Sequence, residues 1–394
     1  MSGYFLPLLI ILLAIGALMR EDFVFTLIYL LAGAFAFGRW WSRKALKSLK
    51  IERKFPDRAF LGEEVQVDLE LSNPGLLPAV WVRLHESLPV EMAVPNFFRS
   101  VVSLGPREEV KLHYLLKARK RGYYPIGPLN LHSGDLLGIT EQSTYEWGPN
   151  YLTVFPLIVP LVEISLPTHS PMGTLHHHEP VFEDPTRVIG KRDYTAGDSL
   201  RRIDWKASAA TGRLQVKQFE PSISLETSIF LNLNANEYEQ RTRYHTTELA
   251  IVVAASIAAW VEGKKQSVGL VTNGNDPLAF QEKTHFMPPR KGRSNLMRIL
   301  DILARIQMQE TDPLAQVMRP WSSHLSWGTT IILITGQIDE DLFDELFQAR
   351  RSGLDAMLVI CGNVPRFQEI KHKATHFGFP IRQVLYEEDL KYWI

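Results

Sequence analysis

Three hydrophobic patterns follow one another along the chain. Residues 4–19 and 23–38 are uncharged and almost wholly apolar. Between about residues 55 and 165, apolar positions alternate with polar ones, and beyond about residue 223 short apolar runs alternate with helical stretches. In order, these patterns predict two membrane-length helices, a set of half-buried strands, and an α/β region.

The two apolar runs are separated by only three polar residues, Arg20, Glu21 and Asp22. A membrane-spanning helix needs about 20 apolar residues, so the first run reaches that length only with its flanks. A secretory signal peptide is the alternative, but the second run follows at once and no basic segment precedes the first. We therefore expect a retained two-span hairpin that anchors the chain in the lipid bilayer.

Basic residues follow the second apolar run. They are Arg39, Arg43, Lys44, Lys47, Lys50, Arg53 and Lys54. By the positive-inside rule, this segment and the soluble domains lie in the cytoplasm, with the hairpin in the plasma (inner) membrane. We interpret the segment as a topology signal, with contact to anionic headgroups as a second interpretation. A cell-envelope factor with external domains is the alternative topology.

The alternating region is punctuated by turn residues such as Asn73, Pro74 and Gly75, which favours a small antiparallel sandwich or barrel. The strand and helix alternation beyond it implies a mostly parallel sheet covered on both faces. A nearly all-apolar helix at 249–260 is too short to span a membrane and is predicted to be buried. The expected segments are a transmembrane hairpin at 1–41, a basic juxtamembrane segment at 42–54, a β-rich sandwich-like domain at 55–165, a connector at 166–222 and an α/β domain at 223–394.

Composition narrows the class of function. Lys and Arg total 43 and so do Asp and Glu, so the chain is not a globally basic nucleic-acid binder, and no nucleic-acid partner is expected. The single cysteine, Cys361, cannot form an intramolecular disulfide. It ends an apolar run and is predicted to be a buried small hydrophobe.

The densest polar signal is RDYTAGDSLRRIDWKASAATGRLQVKQFE, residues 192–220, which we call the signature stretch. Asp198 is a plausible helix N-cap and Gly212 a plausible helix end. Arg201 and Asp204 are three residues apart and are expected to pair on the helix surface. Between residues 187 and 220 there are eight Lys or Arg and four Asp or Glu, which favours an acidic or phosphate-bearing partner.

Catalysis by the signature stretch is not supported, because it contains no histidine or cysteine and Ser208 has no evident base. It is either a joint that clamps two domains or a partner-binding surface. Burial of Trp205 favours the joint. The candidate residues are Arg192, Tyr194, Gly197, Asp198, Arg201, Arg202, Asp204, Trp205 and Lys206.

The stretch resembles the signature of a membrane-protein family known as domain of unknown function 58, approximately R-x-Y-x-x-G-D-x-x-R-x-I-D-W-x-x-S-A. The pattern is met by Arg192, Tyr194, Gly197, Asp198, Arg201, Ile203, Asp204, Trp205, Ser208 and Ala209. The resemblance implies a C-terminal von Willebrand A-like (Rossmann-like) domain and a MoxR-type AAA+ ATPase as partner. The chain departs from the pattern at Ala210, where a basic residue is expected.

Von Willebrand A-like domains often hold a divalent cation through a D-x-S-x-S motif, a loop hydroxyl and a further Asp. By resemblance these positions fall on Asn232, Asn234, Asn236 and Ser294, and the expected aspartates are missing. A hard cation draws much of its affinity from carboxylate charge, which amide oxygens do not supply. We therefore expect a vestigial site that holds no metal, and no cofactor.

Together these features predict a membrane-anchored, non-enzymatic interaction or assembly protein. The alternative is a metal-dependent enzyme that uses Asn232, Ser294 and the histidine run at 176–178. Adjacent residues on an extended chain point in alternate directions, so we expect the histidine run to be an exposed loop.

Overall fold

The computed structural model describes residues 22–134, 141–162, 183–196, 198–221, 226–279 and 284–392, together with 7, 10–15 and 18. The chain divides into two compact units. Met1–Leu157 and Leu300–Arg305 form the first unit, and Ile158–Ile299 and Ile306–Ile394 form the second. The histidine run 176–178, Gly197 and half of the first apolar run lie outside the described residues.

The second apolar run forms a long helix, α1 (Asp22–Ser48), of 27 residues. It is long and apolar enough to cross a membrane, and almost none of its most apolar stretch is buried in the protein. The helix does not end near residue 41. It continues to Ser48, because the residues that follow the apolar run pack against the first unit.

Ten strands make up most of the first unit. They are β1 (Lys50–Lys54), β2 (Arg58–Phe60), β3 (Glu64–Ser72), β4 (Ala79–Ser87), β5 (Phe97–Leu104), β6 (Glu109–Lys117), β7 (Gly122–Ile126), β8 (Leu129–Gly134), β9 (Glu141–Trp147) and β10 (Asn150–Phe155). Three sheets result, with strand orders β1-β3-β6, β5-β4-β8-β9 and β2-β10-β7. All their pairings are antiparallel except that of β2 with β10. The prediction of a strand-rich region after the apolar runs is therefore confirmed.

The end of α1 belongs to the core of this β unit. Ala45 and Leu46 are buried in one apolar cluster with Leu71 from β3 and Leu84 from β4. The indole Nε1 of Trp41 donates a hydrogen bond of 3.1 Å to a backbone carbonyl in the loop before β4. The end of the helix therefore shares one apolar cluster with strands of the first unit, which fixes it to them.

A buried ion pair joins β1 to β4. The Nε of Arg53 donates to Oε1 of Glu86 at 2.7 Å, and the two side chains are only 2 % and 0 % exposed. The hydroxyl of Tyr114 donates to the other carboxylate oxygen at 2.7 Å. Burial raises the pKa of Glu86, and Arg53 and Tyr114 act in the opposite direction. Arg53, one of the basic residues after the apolar run, is therefore part of the β unit and not of a free juxtamembrane segment.

We expect Glu86→Gln to lower the free energy of unfolding by about 3–5 kcal/mol, because Arg53 then stays buried without its counter-charge. The measurement is urea unfolding of the full chain in detergent, followed by tryptophan fluorescence. Glu64→Gln is the matched control, since its side chain is 61 % exposed and lies 4.0 Å from Lys117. A change of at most about 0.5 kcal/mol is expected there. Equal losses in both variants would contradict the role given to the buried pair.

The second unit contains a two-stranded sheet, a six-stranded sheet and most of the remaining helices. Its strands are β11 (Glu183–Asp193), β12 (Gln215–Pro221), β13 (Glu226–Leu231), β14 (Ser267–Thr272), β15 (His285–Arg290), β16 (Thr330–Thr335), β17 (Asp355–Cys361) and β18 (Ile381–Val384). The α-helices are α2 (Trp205–Thr211), α3 (Arg243–Gly263), α4 (Arg293–Arg305), α5 (Leu314–Ser322), α6 (Glu340–Arg351) and α7 (Phe367–His376). The last six residues of α4, Leu300–Arg305, belong to the first unit.

The large sheet has the order β15-β14-β13-β16-β17-β18, and only β15 runs antiparallel to its neighbour. Phe230, Ile331 and Leu333 pack in one cluster with residues of α5, α6 and α7. Helix α3 contacts the same strands but contributes nothing to that cluster. Since successive strand residues point to opposite faces, α3 covers the other face. The sheet is mostly parallel and covered on both sides, as predicted.

The apolar helix predicted at 249–260 lies in α3. By length and composition α3 could cross a membrane, but 72 % of its most apolar stretch is buried inside the second unit. The prediction of a buried core helix is therefore confirmed. Cys361, at the end of β17, is also buried, and burial raises the pKa of its thiol.

Candidate functional site

The signature stretch folds into a compact loop between two antiparallel strands, β11 and β12. The backbone N–H of Tyr194 donates to the carbonyl of Leu214 at 2.8 Å, which closes the loop. Inside it, Ile203 and Val216 are both buried and form a further antiparallel bridge. These backbone bonds give the loop a fixed shape.

Arg192 and Asp198 form the first side-chain clasp of the loop. Two guanidinium nitrogens of Arg192 donate to the two carboxylate oxygens of Asp198, at 2.7 and 2.6 Å. The backbone N–H of Thr195 also donates to Asp198, at 2.9 Å. These hydrogen bonds, that of Arg192 first, hold the pKa of Asp198 well below its usual range. The prediction that Asp198 caps a helix is wrong, because the short 3₁₀ helix Leu200–Arg202 has Ser199 at its N-cap and the α-helix begins only at Trp205.

The helix cap is Asp204. Its carboxylate accepts the backbone N–H of Ala207 at 3.1 Å, as an N-cap residue does. It also pairs with Lys191 at 2.9 Å, and this contact and the cap bond lower the pKa of Asp204. The ion-pair partner of Asp204 is therefore Lys191, and not Arg201 as predicted. Gly212 ends the helix with a φ of 68°, as predicted, because that conformation suits glycine.

Ser208 is part of the scaffold of the loop. Its hydroxyl donates to the carbonyl of Asp204 at 2.8 Å and accepts the backbone N–H of Gln215 at 2.8 Å. The side chain is buried, so these two bonds satisfy it without solvent. The hydroxyl that sequence reasoning considered as a nucleophile thus ties helix α2 to strand β12.

Four other candidate residues, Arg201, Arg202, Trp205 and Lys206, are exposed, whereas Tyr194 is half-buried. Together with the exposed neighbour Leu200, which was not a candidate, these four form what we call the signature surface. Trp205 is 68 % exposed and Leu200 is 67 % exposed. Burial of Trp205 was the mark of a joint between domains, so its exposure favours the partner-binding interpretation. Gly197, the other candidate, lies outside the described residues.

The second candidate site lies between the two central strands of the large sheet. Asn232 directly follows β13, and Thr335 ends the neighbouring strand β16. After β13 the chain continues to β14 on one side of the pair, and after β16 it continues to β17 on the other side. Ligands of open α/β sheets generally bind at the carboxyl ends of the strands where the strand order reverses in this way. The amide of Asn232 is fully buried and donates to the Thr335 hydroxyl at 2.9 Å.

The orientation of the Asn232 amide is fixed by its neighbours. Its oxygen accepts the backbone N–H of Asn234 at 3.0 Å and the side-chain N–H of Asn273 at 3.1 Å. Its nitrogen must then face the other way, where it donates to the carboxylate of Glu237 as well as to Thr335. Asn234 donates to the same carboxylate at 3.1 Å. Two amides therefore converge on Glu237 with N–H groups.

This arrangement does not fit a divalent cation. Mg²⁺ and similar ions require oxygen ligands, whereas Asn232 and Asn234 present N–H donors. The backbone N–H of Leu314 adds a third donor to Glu237 at 3.3 Å. Burial raises the pKa of Glu237 above its usual 4.5, although these donors lower it. Among the residues that the structure describes, no three His, Cys, Asp or Glu side chains form a group that could hold a metal ion.

Ser294 does not belong to this site. It is exposed in the first turn of α4, and its neighbour Asn295 donates to the carbonyl of Val268 at 2.8 Å. Val268 lies near the amino end of β14, whereas Asn232 follows the carboxyl end of the parallel strand β13. The expectation for Ser294 is therefore wrong, because the two residues lie at opposite edges of the sheet. Thr335 supplies the hydroxyl instead.

Sequence reasoning also missed the centre of the network. Glu237 was overlooked because no family position falls on it, although it follows the three asparagines directly. Thr311 was missed as well, and its backbone N–H donates to Asn234 at 3.4 Å. Asn236 contributes only its backbone, since its side chain is exposed. The signal in the sequence that could have indicated Glu237 is an acidic residue directly after an asparagine-rich turn.

The signature stretch and the strands that follow it match a known family. Residues 190–359 match the profile described as "Protein of unknown function DUF58". We call these residues the DUF58 segment, after the profile that they match. The resemblance inferred from the sequence is confirmed here, and the match extends from the end of β11 into β17. The DUF58 segment thus contains both the signature surface and the amide network.

Several known proteins are similar to this chain. The uncharacterised protein YeaD of Bacillus subtilis is 26 % identical over 307 residues, which cover 73 % of each chain. An aerotolerance-related membrane protein from Bacteroides fragilis is 12 % identical, with a TM-score of 0.32, and the alignment covers 42 % of this chain and 93 % of that one. A von Willebrand factor type A structure from Catenulispora acidiphila is 11 % identical, covers 44 % and 41 % of the two chains, and also has a TM-score of 0.32. These TM-scores are too low to assign a fold, which rests on the strand order described above.

We expect the stability that Glu237 contributes to depend on pH. Because its pKa is raised in the folded state, the unfolded chain loses this proton first as the pH rises. The contribution is therefore full below about pH 4.5, the usual pKa, and is lost as the pH rises through the folded-state pKa. The free energy of unfolding of the wild type minus that of Glu237→Gln should fall over this range, measured by urea unfolding at several pH values.

Divalent cations supply the control for this network. Addition of Mg²⁺, Mn²⁺ or Zn²⁺ should leave the unfolding midpoint of the wild type unchanged, because the amides present N–H groups to the site. A metal-dependent rise that disappears in Asn232→Ala would contradict our description of the site. So would a difference between wild type and Glu237→Gln that grows with rising pH.

Proposed function

We propose that this chain is a membrane-anchored, non-enzymatic interaction or assembly protein that presents its DUF58 segment to a protein partner. The partner class implied by the family resemblance is a MoxR-type AAA+ ATPase. The observation that carries the proposal is that the signature stretch contains two groups of residues. The side chains of one group form hydrogen bonds that stabilise the loop, and those of the other group, the signature surface, are exposed.

The fold of the second unit supports this role. We infer that it is a von Willebrand A-like, Rossmann-like domain. The strand order β15-β14-β13-β16-β17-β18 places the first strand of the sheet at its centre, as in doubly wound folds, and one edge strand is antiparallel. The amide network occupies the ligand-binding edge of this sheet, which argues against metal-dependent recognition or catalysis there. Recognition is then expected to use another surface.

The signature surface has the chemistry of a protein-binding site. Exposed tryptophan and arginine are the residues most enriched among those that dominate binding energy in interfaces. Trp205 and Leu200 offer apolar contact, while Arg201, Arg202 and Lys206 surround them with positive charge. An acidic patch on the partner would complement this surface. The rigid loop beneath it reduces the entropy lost on binding.

We expect Trp205→Ala to weaken binding to a MoxR-type ATPase from the same organism at least about 30-fold, the effect of losing a dominant interface residue. Arg201→Glu should weaken it further and reduce its dependence on salt. The measurement is interferometry with the purified ATPase and the full-length chain in nanodiscs, with ATP present.

The matched control is Tyr386→Ala combined with Lys371→Glu, which removes an exposed aromatic side chain and reverses an exposed charge elsewhere in the second unit. This variant should bind as the wild type does. Binding that is unchanged by Trp205→Ala, or that falls equally in the control, would contradict the assignment of the signature surface. No binding by the wild type would exclude this partner class.

The anchor in our proposal is a two-span hairpin in the plasma (inner) membrane, with α1 as its second helix and both units in the cytoplasm. Arg39, Arg43, Lys44 and Lys47 follow the apolar part of α1 and lie on the same helix. Even without Arg53, which is paired inside the β unit, they give this end of the helix the basic excess typical of cytoplasmic flanks.

The orientation predicts the behaviour of C-terminal reporter fusions. In a bacterial host, a fluorescent protein that matures only in the cytoplasm should be bright when fused after Ile394, and alkaline phosphatase fused there should be inactive. The physical reason is the basic flank, which resists translocation. The reverse pattern would support a cell-envelope protein with external units.

A further inference from the structure

The last three turns of α1 have two faces with different chemistry. Ser42, Ala45 and Leu46 are buried against the sheets of the first unit. On the other side, the exposed residues are basic or aromatic. They are Arg39, Trp40, Arg43, Lys44 and Lys47.

Helical spacing brings these residues together. A turn of about 3.6 residues rotates successive side chains by about 100°, so Arg39, Arg43 and Lys47 are stacked along one line and Trp40 and Lys44 along the next. The Nζ of Lys44 lies 5.2 Å from the centre of the Trp40 ring, within the range of a cation–π contact. The same side chains line one groove along the helix. The basic face is therefore a continuous surface.

Three basic residues of this face, Arg39, Lys44 and Lys47, keep their positive charge without an acidic partner among the described residues. None of the ion pairs among the described residues involves Arg39, Lys44 or Lys47. By contrast, Arg53 and Lys54, further along the chain, pair with Glu86 and Glu70. The opposite face of the helix is already packed in the core, so Arg39, Lys44 and Lys47 are left for contacts outside the chain.

The depth of this face is set by the helix. The apolar run ends at residue 38, and Arg39 is the next residue of the same unbroken helix. A rise of about 1.5 Å per residue puts Arg39 through Lys47 within about 14 Å of that end. In a bilayer, the region just beyond the hydrocarbon contains the phosphate groups of the lipids. Tryptophan is also enriched at this level.

We propose that Arg39, Lys44 and Lys47, with Trp40, form a binding site for the headgroups of anionic phospholipids. The inference rests on the proposed anchoring of α1 in a membrane. It goes beyond a topology signal, because a topology signal requires only the number of positive charges. A headgroup site also requires that they share one exposed face, which the packing of the opposite face enforces.

Spin-labelled lipids test this directly. Full-length protein is reconstituted in phosphatidylcholine vesicles that contain trace spin-labelled phosphatidylglycerol or spin-labelled phosphatidylcholine, and the motionally restricted fraction of each label is measured. We expect a preference for phosphatidylglycerol of about fivefold, the effect of roughly one basic residue at a membrane surface. The triple variant Arg39→Gln, Lys44→Gln and Lys47→Gln should lower the preference to near one. About 0.5 M NaCl should reduce it in the wild type.

The matched control is Lys291→Gln, Arg351→Gln and Lys371→Gln, which removes the same charge from exposed positions of the second unit. It should keep the wild-type preference. An equal preference in the Arg39, Lys44 and Lys47 variant, or an equal loss in the control, would overturn the site. Competition by millimolar inorganic phosphate would show that free phosphate, and not a lipid, is the ligand, and would also overturn it.

Extraction with alkaline carbonate separates this inference from the function on which it rests. If the wild type stays in the membrane but shows no lipid preference, only the headgroup site fails. If the wild type is released by carbonate, the proposed anchoring itself fails, and the headgroup site fails with it.

Discussion

Arg53 and Glu86 can be buried in the first unit because each supplies the charge and the hydrogen bond that the other loses from water. The same constraint acts in the second unit, where Asn232 and Asn234 turn their N–H groups toward Glu237. In both places the burial of a polar group is made possible by a specific partner. These pairings decide which polar residues remain for contacts outside the chain.

The signature stretch follows the same rule on a smaller scale. Asp198 and Asp204 are each held by a basic residue and by a backbone N–H, and both have a lowered pKa. Ser208 is bonded on both sides to the backbone. These residues stabilise the loop, and Trp205 with its basic neighbours is left exposed. A family pattern therefore contains two kinds of residue, one that forms the loop and one that the loop presents.

Helix α1 links the proposed anchor to the folded part of the chain. Its apolar run is exposed on the protein, while its end is packed into the core of the β unit. Because there is no flexible linker between the two, the face that carries Arg39, Lys44 and Lys47 has a fixed direction relative to that core. The sequence gives only the number of these charges, whereas the structure shows that they lie on one exposed face of the helix.

The sequence by itself determined the apolar run that becomes α1, the strand-rich first unit, the mostly parallel sheet and the helix end at Gly212, because each depends on local periodicity or on one residue's backbone preference. Only the tertiary structure decided that Asp204 rather than Asp198 caps the helix, that Ser294 lies far from Asn232, and that Glu237 receives the amides. The cap on Ala207 and the side-chain amide contacts of Glu237 are local, but the residues that orient Asp204 and Asn232, namely Lys191, Asn273 and Thr335, lie on other elements. Periodicity carries no information about such pairings. The exposure of Trp205 was also decided by the tertiary structure. In a short amphipathic helix, the packing of neighbouring elements determines which face is buried.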